Sequence, residues 1–354
     1  MSKFMSKRHD ELDAYVPGEQ PQDKKYVKLN TNESPFPPSP FAQRLARQAA
    51  GTIELYCDPE SGALVRIAAE KFGVAEDEII FTNGSDEVLD FAFAAFCDDK
   101  TPAVFPDITY GFYPVFATRN GVPYREIPLK EDLTVNVEDY LGVKGTVFIA
   151  NPNAPTGIAL PATEIEKIVK ANPDNVVVVD EAYVDFGGES VLPLIKKYDN
   201  LLVTETFSKS RSLAGGRLGM GFANKALIAD LKKIKYSFNP YNVNSMTAAA
   251  GIGALLDEEY FKANVATIIK TRENTVFALE KLGFTTLPSK ANFIFAKHAK
   301  MSGKCVYSAL KDKGVLVRYF DKDRLRDYVR ITIGSAEDMR VLAETLAGII
   351  GEQK

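Results

Sequence analysis

Lys209 ends the run Thr204-Glu205-Thr206-Phe207-Ser208-Lys209, and Gly215-Gly216-Arg217 follows a few residues on. A lysine among small hydroxylic neighbours can form a Schiff base with a carbonyl cofactor. Two hydroxyls and an arginine suit a phosphate dianion, because Arg offers a fixed fork of donors. Taken alone, Lys209 also reads as a solvated surface lysine. Asp180 closes the run Val176-Val177-Val178-Val179, and Tyr183 follows in Asp180-Glu181-Ala182-Tyr183. That aspartate is either the cap of a strand-end turn or a buried acid facing a cationic ring nitrogen, which would keep it ionised despite desolvation. Asn83-Gly84-Ser85 reads as a capped turn or as a phosphate site at a helix start. Asn151-Pro152-Asn153-Ala154-Pro155-Thr156-Gly157, by itself, reads as a turn.

These polar groups fall where apolar segments end. The pattern predicts short strands over 78–81, 103–105, 146–150, 176–179 and 201–204, with helices over 63–72 and 86–96. The continuous β-branched run 176–179 suits a strand buried on both faces of a parallel sheet. Alternation of this kind predicts an α/β layered domain with its functional loops at the carboxyl ends of the strands. Before it, residues 1–40 are polar and end in Ser34-Pro35-Phe36-Pro37-Pro38-Ser39-Pro40, which predicts an extended arm. The stretch 235–244 reads as a hinge. A long helix over 258–282 and strands over 293–296, 315–318 and 328–333 then predict a smaller α+β domain. The expected organisation is an arm (1–40), a large α/β domain (41–240) and an interdomain helix with a small C-terminal domain (241–354).

Composition trims the chemistry. The chain has 354 residues, 45% hydrophobic and 25% charged, with a net charge of −4. That excludes disordered and disulfide-stapled classes, and the absence of a basic excess argues against a nucleic-acid partner. Three cysteines (Cys57, Cys97, Cys305) and two histidines (His9, His298) fall short of a zinc site, which needs about four N/S ligands. Both histidines are expected on the solvated surface, so a Ser-His-Asp or Cys-His mechanism is not expected. No apolar signal region precedes residue 12, and the most apolar stretch, 91–97, is too short to cross a bilayer. A cytoplasmic setting is the expectation. Gly215-Gly216-x-x-Gly219-x-Gly221 fails the spacing of a dinucleotide fingerprint, which argues against a nicotinamide oxidoreductase.

Jointly and in this order, the motifs resemble the fold-type I, pyridoxal-phosphate-dependent aminotransferases over nearly the whole chain. The resemblance is nearest to the histidinol-phosphate branch of that family. Tyr15-Val16-Pro17-Gly18, Leu29-Asn30-Thr31-Asn32-Glu33-Ser34-Pro35, Tyr56-x-Asp58-Pro59, Asn83-Gly84-Ser85-Asp86-Glu87, Ser289-x-Ala291-Asn292-Phe293, Val315-Leu316-Val317-Arg318 and Val329-Arg330-Ile331-Thr332-Ile333-Gly334 carry it. The resemblance implies a mostly parallel, seven-strand-type sheet with helices on both faces. It implies pyridoxal 5'-phosphate bound covalently at Lys209, with Asp180 at the ring nitrogen and Tyr183 at the phenolic oxygen. Ser85, Asp86, Thr206, Ser208 and Arg217 fall on the cofactor-phosphate side, Tyr110 stacks on the ring, and Tyr56 reaches in from the partner of a homodimer. Arg330 and Arg318, with Asn32, are implied on the substrate side, one anion site serving both histidinol phosphate and 2-oxoglutarate. The implied reaction gives imidazole acetol phosphate and glutamate, in histidine biosynthesis. A threonine-phosphate decarboxylase or an aromatic aminotransferase on the same scaffold is the alternative. The family commonly has Asn directly before Pro-Thr-Gly; here Ala154 stands there, and either the adjacent Asn153 compensates or Tyr183 suffices. Glu205 stands where a basic or neutral residue is frequent.

Overall fold

A computed structural model describes residues 2–10 and 12–352; positions 1, 11, 353 and 354 of the expected arm and C-terminal unit lie outside the described residues. The strands run in chain order as β1 (Val27–Lys28), β2 (Ile79–Thr82), β3 (Ala103–Pro106), β4 (Tyr124–Ile127), β5 (Thr146–Ala150), β6 (Val177–Asp180), β7 (Leu201–Thr206), β8 (Gly219–Ala223), β9 (Phe284–Thr286), β10 (Phe293–His298), β11 (Val315–Leu316), β12 (Arg318–Tyr319) and β13 (Tyr328–Thr332). The helices are α1 (Pro40–Ala49), α2 (Gly62–Phe72), α3 (Ser85–Phe96), α4 (Tyr113–Asn120), α5 (Ala162–Ala171), α6 (Lys225–Phe238), α7 (Ser245–Leu256), α8 (Glu258–Lys281), α9 (Gly303–Asp312) and α10 (Ala336–Gly351).

A seven-stranded sheet has the order β2-β8-β7-β6-β5-β3-β4, and only β8 runs against its neighbours. Side chains alternate across it as the period of two requires. Val147, Ile149, Val177 and Val179 enter one hydrophobic layer with α2, α5 and α7. Phe148 and Val178 enter the opposite layer with α3, α4 and α6. Buried on both faces, each of these valines contributes about 1.5–3 kcal/mol, enough for the strand to end on a buried acid. The chain order reverses between β3 and β5, so their connections diverge and leave a crevice at the carboxyl ends. Beyond α8, a four-stranded antiparallel sheet, β12-β13-β10-β9, packs against α8, α9 and α10 around its own apolar core.

Several expectations are corrected. The N-terminal arm is not wholly extended: Lys7–His9 forms a 3-10 turn, and β1 pairs in parallel with β11. That pairing splits the strand expected over 315–318, whose second half, β12, joins the four-stranded sheet instead. The expected hinge over 235–244 is helical as far as Phe238, because Ile228, Leu231 and Lys235 recur at helical spacing on the buried face of α6. His298 is half-buried against Phe284, ring centroids 4.9 Å apart, rather than solvated, and His9 is half-buried too. Among the described residues no helix is long and apolar enough to cross a membrane.

Candidate active site

The carboxyl ends of β3, β5, β6 and β7 converge. Asp180, the last residue of β6, is buried at 6% exposure. Its carboxylate accepts the Ala182 N–H at 3.2 Å and, at 3.4 Å, the hydroxyl of the fully buried Tyr113. Burial pushes the group up to about 7; the Ala182 amide opposes that shift, and the Lys209 charge is too weak to cancel it. The sequence predicts an ionised carboxylate here. In the chain alone burial outweighs the neighbours, so a cation placed beside Asp180 is what would restore the charge.

Leaving β7, the chain delivers Thr206, Ser208 and Lys209. The Thr206 and Ser208 hydroxyls lie 3.0 Å apart, and Thr206 Oγ1 accepts the Ser208 N–H at 3.2 Å. Lys209 Nζ donates to the Thr31 carbonyl at 3.4 Å and stands 5.8 Å from the Tyr183 ring centroid. Opposite, α3 starts at Ser85, directly against β8. A Cβ on Gly219 would lie 2.2 Å from the Ser85 nitrogen, so only glycine lets the strand pass under the helix start. Gly84 has φ +86°, and a Cβ there would strike the Arg217 guanidinium at 2.7 Å. Arg217 donates to Asp86 at 3.1 Å, and Asp86 also accepts the Tyr110 hydroxyl at 2.6 Å. The outcome is a cavity of about 320 Å³ lined by Ser85, Asp86, Tyr110, Asp180, Tyr183, Thr206, Ser208, Lys209 and Arg217.

A second cavity of about 600 Å³ shares Asp86, Tyr110, Tyr183 and Lys209 with the first and extends to Asn32, Arg318 and Arg330. Arg330 Nη2 donates to the Asn30 carbonyl at 3.1 Å, its Nε is buried without a partner, and the guanidinium lies between Phe293 and Phe320, 5.3 and 5.6 Å from their centroids. No carboxylate pairs with it among the described residues, and desolvation holds its pKa below the usual arginine value. Arg318, by contrast, donates to the Val16 and Pro17 carbonyls at 3.0 and 3.1 Å and so holds the N-terminal segment over the cavity. Asn32, in a left-handed conformation at φ +57°, donates from Nδ2 to the Tyr183 hydroxyl at 3.0 Å. It is fixed in turn by Thr332, whose hydroxyl donates to Asn32 Oδ1 at 3.0 Å, and by Asn292, which donates to its carbonyl at 3.0 Å.

Asn153 donates from its amide to the Ile108 carbonyl and to Thr156 Oγ1, both at 3.1 Å, and it lines neither cavity. Ala154 does line both, while Asn153 ties its loop to the one that carries Tyr110 and keeps a buried Oδ1 without a partner. Tyr56 is not brought to the cavity of its own chain: it is 85% exposed and stacks on Tyr241 at 4.6 Å. Sequence reasoning gave no role to Tyr113, and none to Asn292 or Thr332, although the last two lie in motifs that carry the resemblance. Glu205 points to the face opposite Thr206, where burial and the nearby Asp185 and Glu181 carboxylates raise its pKa well above the ordinary value. Glu181, accepting from the Ser190 hydroxyl and the Val191 N–H, is pushed up to about 8 by burial.

The arrangement can bind a carbonyl compound at Lys209, a cationic ring at Asp180, a phosphate around Ser85, Thr206, Ser208 and Arg217, and a second anion at Arg330. Comparison with known proteins gives the family. Residues 24–346 match the family model described as aminotransferase class I and II. A histidinol-phosphate aminotransferase of Brachyspira hyodysenteriae is 47% identical over 99% of each chain. One from Clostridium botulinum (strain Kyoto / Type A2) is 46% identical over 99% of this chain and 100% of that one. The fold matches the solved structure of the Sinorhizobium meliloti histidinol-phosphate aminotransferase in complex with pyridoxal-5'-phosphate, with a TM-score of 0.90 and 24% identity over 100% of this chain and 99% of that one. With the family model spanning most of its length and near-half identity end to end, this chain belongs to the class I and II aminotransferases.

Proposed function

We propose that the chain transfers an amino group between L-histidinol phosphate and 2-oxoglutarate, giving imidazole acetol phosphate and glutamate in histidine biosynthesis, with pyridoxal 5'-phosphate as its cofactor. One observation carries the reading: among the described residues, a buried acid without an ion-pair partner (Asp180) and a buried guanidinium without one (Arg330) line two adjoining cavities that share Lys209. The residues fit the cofactor. Asp180 is raised to about 7 by burial and would regain its charge beside a protonated ring nitrogen. Gly84 and Gly219 let Ser85 and Arg217 close up at the phosphate end, since a Cβ at either would strike them. Lys209 would hold the aldehyde carbon, Tyr183 the phenolic oxygen, Tyr110 the ring face, and Ser85, Thr206, Ser208 and Arg217 the phosphate. When bound, pyridoxal 5'-phosphate supplies an electron sink for the substrate carbon that bears the amino group.

The chain's own residues do the rest. Lys209 Nζ would move the proton at the substrate Cα. Asp180 would hold the cofactor's positive charge, while Asn32 aims the Tyr183 hydroxyl and Asp86 holds Tyr110. Arg330 binds the anionic group of each substrate in turn, since its fork of donors accepts carboxylate or phosphate oxygens. Its buried setting makes that contact stronger than in water, because the guanidinium has already lost its hydration. Incubating purified, cofactor-supplied protein with histidinol phosphate and 2-oxoglutarate tests the reading. Stoichiometric glutamate is the expected product. Carbon dioxide from threonine phosphate, or preferred turnover of phenylalanine or tyrosine, would favour the alternatives.

We infer that two copies share their sites. Ile53, Leu55 and Tyr56, close together in the chain, are 63%, 66% and 85% exposed, an apolar segment that favours association. Tyr56 lies on it, as a residue completing a neighbour's site would. Mixing Lys209→Ala with Tyr56→Phe subunits should restore one intact site per heterodimer; no gain over the parents would contradict sharing. A reducing, cytoplasmic setting accords with three unpaired cysteines, one of them exposed.

A further inference from the structure

The two cavity arginines sit on one hairpin. Arg318 begins β12, Arg330 lies in β13, and residues 320–327 join them across the cavity mouth, where Phe320, Lys322 and Leu325 line it. Leu325 is 3% exposed and belongs to the core of the seven-stranded sheet, not to that of its own four-stranded sheet. Beside it Arg324 has φ +66°, a left-handed backbone disfavoured for any residue with a Cβ. Such a conformation persists where the surroundings over-determine it.

The side chain supplies that determination. Arg324 Nη2 donates to the Leu129 carbonyl at 2.9 Å and the Lys130 carbonyl at 2.5 Å, and Nη1 reaches Asp107 Oδ2 at 3.3 Å. The other Asp107 oxygen accepts the Leu129 N–H at 2.9 Å, so the acceptors form one unit at the ends of β3 and β4. Asp107 opens the loop that carries Tyr110, which lines both cavities. One guanidinium therefore ties the hairpin bearing Arg318 and Arg330 to the loop bearing Tyr110.

We propose that Arg324 is a positioning residue, a clasp that sets the distance between the anion-binding Arg330 and the Lys209 end of the site. The inference rests on the proposed role of Arg330 as the substrate's anion receptor. A solvated ion pair between Arg324 and Asp107 alone would do little, but two backbone carbonyls fix the fork in place. Loss of the clasp should let the hairpin drift, and a displacement of about 1 Å can cost up to about a hundredfold in productive binding.

The test compares Arg324→Ala, Arg324→Lys and Arg324→Gly in the cofactor-loaded protein. In Arg324→Ala, KM for both histidinol phosphate and 2-oxoglutarate should rise about tenfold with kcat within about twofold, as expected when binding shared by ground and transition states is lost. Calorimetry of the cofactor-free protein should show a matching loss of affinity for 2-oxoglutarate. Arg324→Lys, able to reach one carbonyl, should fall between. Arg324→Gly should lose affinity as Arg324→Ala does while melting no lower, since glycine accepts the left-handed backbone. A lowered Tm with unmoved KM and unmoved 2-oxoglutarate affinity would make Arg324 a structural brace and overturn the clasp. Wild-type protein that turns over neither substrate would overturn the functional reading itself, whereas an active wild type beside an unaffected Arg324→Ala overturns the clasp alone.

Discussion

The two ends of the cavity are built differently. At the Lys209 end every group leaves the edge of one sheet within a few residues of a strand: Asp180 and Tyr183 after β6, Thr206 to Lys209 at β7, Ser85 after β2. The Arg330 end is assembled from segments some 300 residues apart, joined by Arg330 to Asn30, Asn32 to Thr332 and Arg318 to Val16 and Pro17. Their electrostatics are opposite. Among the described residues, one end buries an acid with no ion-pair partner and the other a guanidinium with none. Each thereby remains available to a ligand, with its desolvation already met by folding rather than by binding.

The sharpest way to break this contrast is at Asp180. Asp180→Ala should lower turnover about a thousandfold and loosen the cofactor, a loss of the order seen when a buried group stabilising developing charge is removed; dialysis followed by steady-state rates checks it. Turnover within tenfold of wild type would mean that the acid end has no matched cation. Next in size, Arg330→Ala should raise KM for both substrates about a hundredfold, close to the removal of a charge-assisted bidentate contact. Arg318→Ala should cost at most about tenfold, because its donors already serve the Val16 and Pro17 carbonyls. A loss confined to the phosphate substrate in Arg330→Ala would contradict a single shared anion site. Asn32→Ala, which frees the Tyr183 hydroxyl, should lower kcat about threefold to tenfold, consistent with one lost neutral hydrogen bond.

The smallest effect concerns the acids behind the lysine loop. Glu181 is pushed up to about 8, and Glu205 is raised as well, chiefly by burial. The folded state therefore binds protons that the unfolded state has released above its ordinary carboxyl range. Stability falls as pH rises from that range toward the folded values. Glu205→Gln should accordingly raise Tm at pH 8, by an amount corresponding to about 1 kcal/mol, and change it little at pH 5. A larger gain at pH 5 would reverse the sign and sink the assignment.

Much of the Lys209 end is legible in the sequence because strand ends are local signals. An apolar run stopping at a polar residue marks Asp180 and Lys209 without any knowledge of distant partners. The Arg330 end is hidden for the opposite reason: nothing near Asn32 in the chain announces Thr332 or Asn292. Non-local pairing also splits 315–318, since β1 takes one half. The Asn153 amide turns to Ile108 while its neighbour Ala154 lines the cavity, a difference that adjacent residues in a loop do not announce. The reversed strand β8 is masked by Gly219 and Gly221, which weaken its apolar pattern, and Gly219 is there because Ser85 packs against it.

The central claim is that the amine of Lys209 is the chain's attachment point for pyridoxal 5'-phosphate. Borohydride reduction of the cofactor-supplied protein, followed by peptide mass mapping, tests it directly. The predicted result is a single stable pyridoxyl label on the peptide containing Lys209, absent in Lys209→Ala. A label elsewhere, or an unlabelled Lys209 in protein that has bound the cofactor, would contradict it.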